Sequence, residues 1–263
     1  MVNATMKKRK PSPERGRSRN RANSDSADWI YGTHAALAAI ANPSRKIRRI
    51  AAAPQVAETH ETALGIHPVD ILDRRDIDAL VHDGAVHQGI AVLASPLPGI
   101  AIEDIIDQAA PLDTAVVVIL DQATDPRNIG SVLRSAAAFG AMAVAVHDQH
   151  APPITGSLAK AASGALETVP LVRLGNLARH MNMLKDGGFW CVGLDGYAEA
   201  DITKTDLNGK AALVFGAEGT GLRRLTRETC DTLARIPIQG SMESLNLSNA
   251  VAVTLYEAAR RGA

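Results

Sequence analysis

Two spacings of apolar residues divide the chain into alternating strands and helices. At Trp29 a polar stretch gives way to WIYGTHAALAAIANP, which predicts a short strand, a glycine turn and an Ala-rich helix that stops before Pro43. IRRIAAAP follows as a strand, PQVAETHETALG as a helix, and residues 69–81 as a strand and then a helix. A last apolar strand over 89–94 is closed by Pro96, Pro98 and Gly99, so residues 28–95 form a small α/β unit and 96–112 a linker that includes a short helix. Beyond it, TAVVVIL is apolar and β-branched without alternation, the pattern of a strand covered on both faces. SVLRSAAAFG, ITGSLAKAASGAL, LARHMNMLK and LNLSNAVAVTLYEAARR then read as helices, and AMAVAVH, LVRL, FWCVGLD and AALVFG as strands. Residues 113–263 are therefore expected to be an α/β domain around a mostly parallel sheet.

Composition alters this picture at one end only. A chain of 263 residues, 46% hydrophobic, can bury one large core or two modest ones. Its 28 Lys and Arg balance 28 Asp and Glu, yet residues 1–27 concentrate Lys7, Lys8, Arg9, Lys10, Arg15, Arg17, Arg19 and Arg21 among Ser, Asn and Pro. That segment predicts a disordered basic arm, and two uses are open: salt-sensitive attraction to RNA phosphates, or a solubilising extension. No apolar run approaches the ~18 residues of a membrane helix. The polar N-terminus also lacks the apolar stretch of a secretory signal, so a cytoplasmic protein is expected. Cys191 and Cys230 stand far apart without a second pair, which gives neither a disulfide framework nor a thiolate zinc site. His60 and Glu61 miss the spacing of a zinc-protease helix, and His147 and His150 have no third ligand nearby in sequence, so no metal is expected. His87 and Gln88 fit either an RNA contact or the turn that enters the strand.

In open parallel sheets, ligands gather beyond the carboxyl ends of strands, which directs attention to three loops. In DQATDPRNIGSVLRSAAAFG, Asn128 can cap the following helix, and Arg134 lies one turn beyond Gly130 among small residues. The plain alternative is a cap and a solvated side chain. In LVFGAEGTGL, Gly216, Gly219 and Gly221 let backbone approach a ligand, and Glu218 suits a ribose hydroxyl or a cation as well as it suits local turn bonding. The loop lacks the lysine of a P-loop and the chain has no G-x-G-x-x-G, which removes the main support for ATP or dinucleotide binding. In IPIQGSMESLNLSNA, an I-P-I strand end and a Gly240 turn lead to Ser244, Asn246 and Ser248, which gather hydroxyl and amide groups ahead of the last helix, where capping alone would also explain one of them.

Together these three segments resemble the three sequence motifs of the SpoU, or TrmH-like, RNA 2′-O-ribose methyltransferases of the SPOUT superfamily. The likeness spans residues 113–263 and points to the bacterial 23S rRNA guanosine 2′-O-methyltransferase branch. Residues 30–95, with YGTHAAL and HQGIAVL at their ends, resemble the small RNA-binding domain that many members carry. The resemblance implies a trefoil-knotted methyltransferase domain, S-adenosyl-L-methionine as methyl donor, an RNA substrate, and a homodimer whose active site draws on both subunits. It places Asn128 and Arg134 near the reacting ribose, Glu218 as the acid of the second motif, and Ser244 and Asn246 as polar residues of the third. It assigns Gly216, Ile236 and Leu245 to the cofactor. Two rivals share the resemblance: a methyltransferase for tRNA, and a non-catalytic RNA-binding protein of ribosome assembly.

Overall fold

The computed structural model describes residues 28–261, so the expected basic arm over 1–27 lies outside the described residues. The small unit begins with β1 (Asp28–Tyr31), α1 (Thr33–Ala41) and β2 (Ile47–Ala52). It continues through α2 (Pro54–Thr59), α3 (Glu61–Leu64), β3 (Val69–Ile71), α4 (Arg74–Asp78) and β4 (Ile90–Ala94). Its sheet has the order β1-β4-β2-β3, with β4 antiparallel to both neighbours and β2 parallel to β3.

The single helix expected over PQVAETHETALG is two, α2 and α3, with His60 between them out of helical geometry (φ −113°). The Thr59 hydroxyl donates to the Gln55 carbonyl at 2.7 Å just ahead of the break, a local bond that competes with the helix ladder.

After α5 (Ile102–Ala109) come β5 (Ala115–Leu120), α6 (Pro126–Ala138), β6 (Ala143–His147), α7 (Gly156–Ala162) and β7 (Leu171–Leu174). The chain then runs through α8 (Leu177–Asp186), β8 (Trp190–Leu194), β9 (Ala200–Asp201), β10 (Lys210–Phe215), α9 (Arg224–Thr229), β11 (Thr232–Arg235) and α10 (Leu247–Arg261). These strands make a seven-stranded sheet of order β7-β6-β5-β10-β8-β11-β9 in which every neighbouring pair is parallel. Alternation on the central strands sorts side chains between two cores. Val118 and Leu120 face α6, α7 and α10, whereas Val117 and Ile119 face α5 and α8. The first of these cores runs on without interruption into the small unit, where it takes in Ile30, Ala39 and Ile90.

Glycines set how closely the two units meet. A Cβ at Gly156 would overlap the Tyr31 ring, so the start of α7 lies directly on β1. A Cβ at Gly130 would stand 2.6 Å from the Leu158 carbonyl oxygen, which lets α7 lie equally close on α6. The helix expected over ITGSLAKAASGAL ends at Ala162, because Ser163 turns left-handed (φ 52°, ψ 39°) and Gly164 follows at φ 94°. That turn presents Glu167 to the small unit, where Arg45 Nη2 meets Glu167 Oε1 at 2.6 Å with both side chains about 5% exposed or less. Asn42 Nδ2 donates to the same carboxylate at 2.8 Å. Among the described residues no helix is long and apolar enough to cross a membrane.

Candidate active site

The chain leaves β5 to build β6 and β7 on one side and later returns to lay β10 on the other, so the sheet reverses its order between β5 and β10. A crevice opens at such a point beyond the strand ends. Leu120 pairs with Phe215, which sets the two following loops level with each other. Asp121, 1% exposed, ties them together: its carboxylate lies 2.6 Å from Arg223 Nη2 and accepts from Thr226 Oγ1 at 2.7 Å. Sequence reading passed over Asp121, Arg223 and Thr226. The available signal was a charged residue immediately after a β-branched run that is buried on both faces.

Asn128 is not the cap of α6. Asp125 is, accepting from the Arg127 amide at 2.8 Å, and Pro126 occupies the first helical position, where its missing N–H costs nothing. Asn128 therefore sits inside the first turn with its amide free to reach outward. Its Nδ2 donates to Glu218 Oε1 at 3.0 Å. Asn246 Nδ2 donates to that same oxygen at 2.8 Å and to Asn128 Oδ1 at 3.2 Å, and the Leu247 amide adds a third donor to Glu218 Oε1 at 3.0 Å. Three segments, separated by 90 and 28 residues in sequence, thus converge on one carboxylate oxygen.

Asn246 serves two ends at once. Its Oδ1 accepts from the amide and the hydroxyl of Ser248, at 2.9 and 2.6 Å, and so caps α10 while its Nδ2 faces Glu218. Ser244 is exposed and, among the described residues, takes no part in this network.

Arg134 is not brought to the network either. It is exposed, has no hydrogen-bond or ion-pair partner among the described residues, and lines a cleft between α6, α7 and the small unit. Gly216, Ile236 and Leu245 are each partly buried, near the carboxyl ends of β10 and β11, which flank β8. A Cβ at Gly216 would overlap the Gly221 backbone, and Ala217 pairs with Gly221 in a closed hairpin. The strand expected to end at the I-P-I segment stops earlier, at Arg235, since Pro237 has no amide with which to extend the ladder. Just past it, Ile238 is 39% and Met242 70% exposed.

Two histidines also find their places. His87 belongs to the strand-entry turn: its Nδ1 accepts from the Gly89 amide at 3.1 Å and its Nε2 lies 3.0 Å from Asp78. His147, 7% exposed at the end of β6, has an Nδ1 without a partner among the described residues, and burial first and Arg223 second lower its pKa.

An all-parallel sheet with a polar network beyond its carboxyl edge, fronted by a smaller sheet, defines a two-sheet α/β protein. The chain belongs to the SpoU rRNA Methylase family, which matches residues 115–256. Residues 29–99 match a second family, described as RNA 2'-O ribose methyltransferase substrate binding. The chain is 40% identical over 245 residues to the 23S rRNA (guanosine-2'-O-)-methyltransferase RlmB of Vibrio vulnificus (strain CMCP6), covering 90% of this chain and 98% of the relative. Against the enzyme of the same name from Escherichia coli (strain K12), identity is 38% over 246 residues, 89% of this chain and 99% of the relative. An AdoMet-bound rRNA methyltransferase from Sinorhizobium meliloti shares the fold, with a TM-score of 0.74 at 24% identity over 89% of this chain and 87% of that one.

Proposed function

We propose that the chain methylates the 2′-hydroxyl of a guanosine ribose in 23S rRNA, in the cytoplasm, with S-adenosyl-L-methionine as donor. The observation that carries this reading is the convergence of Asn128, Glu218 and Asn246, one from each motif loop, on a single carboxylate oxygen. The near full-length match to the RlmB relatives supports the substrate.

The carboxyl edge suits the donor. Exposed apolar side chains at Ile238 and Met242, with partly buried Ile236 and Leu245, offer an apolar wall for an adenine, and Gly216 lets the hairpin beside Glu218 close. When bound, the donor would supply an electrophilic methyl group to the ribose 2′-oxygen as the sulfur–methyl bond breaks, with neutral S-adenosylhomocysteine as leaving group and the 2′-proton passing to a neighbouring RNA phosphate. Gly216, Ile236 and Leu245 would hold the donor. Within one chain Arg134 lies across α6 from these residues. In the homodimer of this reading, whose active site draws on both subunits, it would approach the ribose from the second subunit and stabilise the charge that develops on the 2′-oxygen. A guanidinium stays protonated, which suits it to that task better than to proton abstraction. Asn128 and Asn246 orient ribose or phosphate, Glu218 fixes their amides, and Ser244 adds a hydroxyl at the mouth.

The labour divides as residues 28–95 for RNA binding, 96–112 as linker and 113–263 for methyl transfer. A homodimer and a threaded, trefoil C-terminal path belong to the same reading. Supporting the first, α10 leaves Val253 42% and Tyr256 56% exposed beside a buried core row. Supporting the second, the segment after β11 returns to Glu218 before α10 packs on α6.

Mapping ribose methylation across rRNA and tRNA in a deletion strain, with purified chain and tritiated donor as the complement, tests the proposal. A single guanosine of 23S rRNA should lose its methyl group, and Arg134→Ala should slow its restoration about 10²–10³-fold. A missing mark on tRNA overturns the substrate, and near-normal turnover by Arg134→Ala overturns that residue's role.

A further inference from the structure

The cleft that holds Arg134 contains more than the proposed mechanism uses. It encloses about 520 Å³ between α6, α7 and the small unit, within the roughly 300–1,000 Å³ of built ligand sites. Arg127, Arg134 and Lys160 line it, together with His34 and His82, and among the described residues no Asp or Glu does. In a chain with 28 basic and 28 acidic side chains this is a local selection of charge. Arg127 and Arg134 are seven residues apart on α6, which puts them on one helix face about 10 Å apart along the axis. Neither has an acidic partner among the described residues.

The opposite wall is built at a cost in backbone strain. Among the described residues only three other than glycine have positive φ, and two of them, Gln88 (57°) and Ser163 (52°), line this cleft. Such conformations cost about 1–3 kcal/mol each and gather where a surface is shaped for a ligand. Gln88 Oε1 accepts from the Thr33 amide at the start of α1. That bond fixes the orientation of the Gln88 carboxamide. Gly32, at φ 89°, leaves room for it, since a Cβ there would stand 3.2 Å from Gln88 Oε1 and 3.4 Å from Lys160 Cγ. Lys160 Nζ donates to the Val86 carbonyl at 2.6 Å, which uses one of its three protons and leaves two directed to other acceptors.

We propose that this junction cleft is a phosphodiester clamp, in which Arg127 and Lys160 hold the RNA backbone next to the target nucleotide and so deliver its ribose to Arg134. The inference rests on the RNA substrate proposed above. Arg127 and Lys160 are positioning residues; they act on the binding of RNA and leave the methyl-transfer step itself alone.

The test compares the full-length wild type with Arg127→Ala/Lys160→Ala, with Arg127→Ala alone, and with a charge-matched Arg179→Ala/Arg224→Ala pair far from the cleft. Filter binding of a 23S rRNA transcript across a salt series, donor binding by calorimetry, steady-state methyl transfer and thermal unfolding are measured for each. The double cleft variant should bind RNA at least about tenfold more weakly, with a salt slope shallower by about 1 for each lost phosphate contact. Its KM for RNA should rise with kcat and donor affinity retained. Arg127→Ala, an exposed side chain with no partner to lose, should show about half the change in slope and guards against a folding defect in the double variant. Wild-type RNA affinity and slope in both cleft variants overturn the clamp, as does an equal loss in the charge-matched pair. A double variant that loses thermal stability while Arg127→Ala keeps the full slope also overturns it and makes Lys160 a structural strap. If the wild type labels RNA and the cleft variants bind it undiminished, only the clamp falls; if the wild type binds no RNA, the proposed function falls with it.

Discussion

The network around Glu218 and the cleft around Lys160 lie on either side of α6 and solve opposite problems. In the network, a single carboxylate oxygen of one loop receives three N–H donors from the other two, so Glu218 Oε1 has its partners in the folded chain. In the cleft, Arg127, Arg134 and Lys160 face a hollow that, among the described residues, no acid lines. A satisfied network holds geometry without help from a ligand. A cluster of cations without acids gains most from an anion that arrives from outside. One helix thus carries Asn128 toward a finished arrangement and Arg127 and Arg134 toward an unfinished one.

The largest expected effect strikes the frame of the unfinished region. Glu167→Ala removes the carboxylate that Arg45 and Asn42 share, leaving a guanidinium that is 4% exposed with no countercharge. Breaking a buried pair in this way costs about 3–5 kcal/mol, so urea or thermal unfolding should show a marked loss of stability. RNA binding should weaken with it, because the cleft walls belong to the two units this pair locks. Near wild-type stability would mean that the continuous apolar core alone holds the junction.

Next in size is the finished region. Glu218→Ala strips the common acceptor from Asn128, Asn246 and Leu247, but the site is exposed and water can take the vacated positions. Stability should therefore fall by only about 1 kcal/mol. Turnover should fall by about 10²-fold, since loops that drift by roughly 1 Å no longer present their amides together. Equal kcat in variant and wild type would break the contrast between a preorganised and an unfilled site.

The sequence made some of this legible and concealed the rest for identifiable reasons. β5 and β10 were plain because both run apolar without alternation, and that run has few other readings in a short segment. The short α9 escaped notice and β11 showed only at its I-P-I end, as LTRETCDTLAR mixes polarity with neither period long enough to register. Asn128 lies inside the first turn and not at the cap because Pro126, a residue that turns and helix starts share, begins α6. The candidate site was readable as three loops, each after a strand. That the three belong to one site came only through family resemblance, and the meeting of Asn128 and Asn246 on Glu218, across separations of 90 and 28 residues, was legible in neither the loops nor the resemblance. Nothing along the chain indicated that Arg134 would open on the small unit. That follows from α7 lying against β1 at Gly156, a tertiary contact between residues far apart in sequence.

The smallest effect probes the support beneath the network. His147 lies near Arg223, which Asp121 draws over the β5 and β10 strand ends. Burial, and then the charge of Arg223, lower the pKa of His147 below its ordinary value of 6.5, so the folded state favours the neutral ring. Below pH 6.5 the unfolded chain takes up a proton at this residue that the folded chain resists. The stability contributed by the neutral ring is complete above 6.5 and is lost as pH falls through the lowered folded value. Other groups titrate in the same window, and comparison with His147→Gln isolates this one. Urea midpoints measured at pH 7.5 and 5.5 should fall more in the wild type than in the variant. Equal falls would show that His147 titrates alike in both states, and that Arg223 bears on the strand ends without reaching the ring.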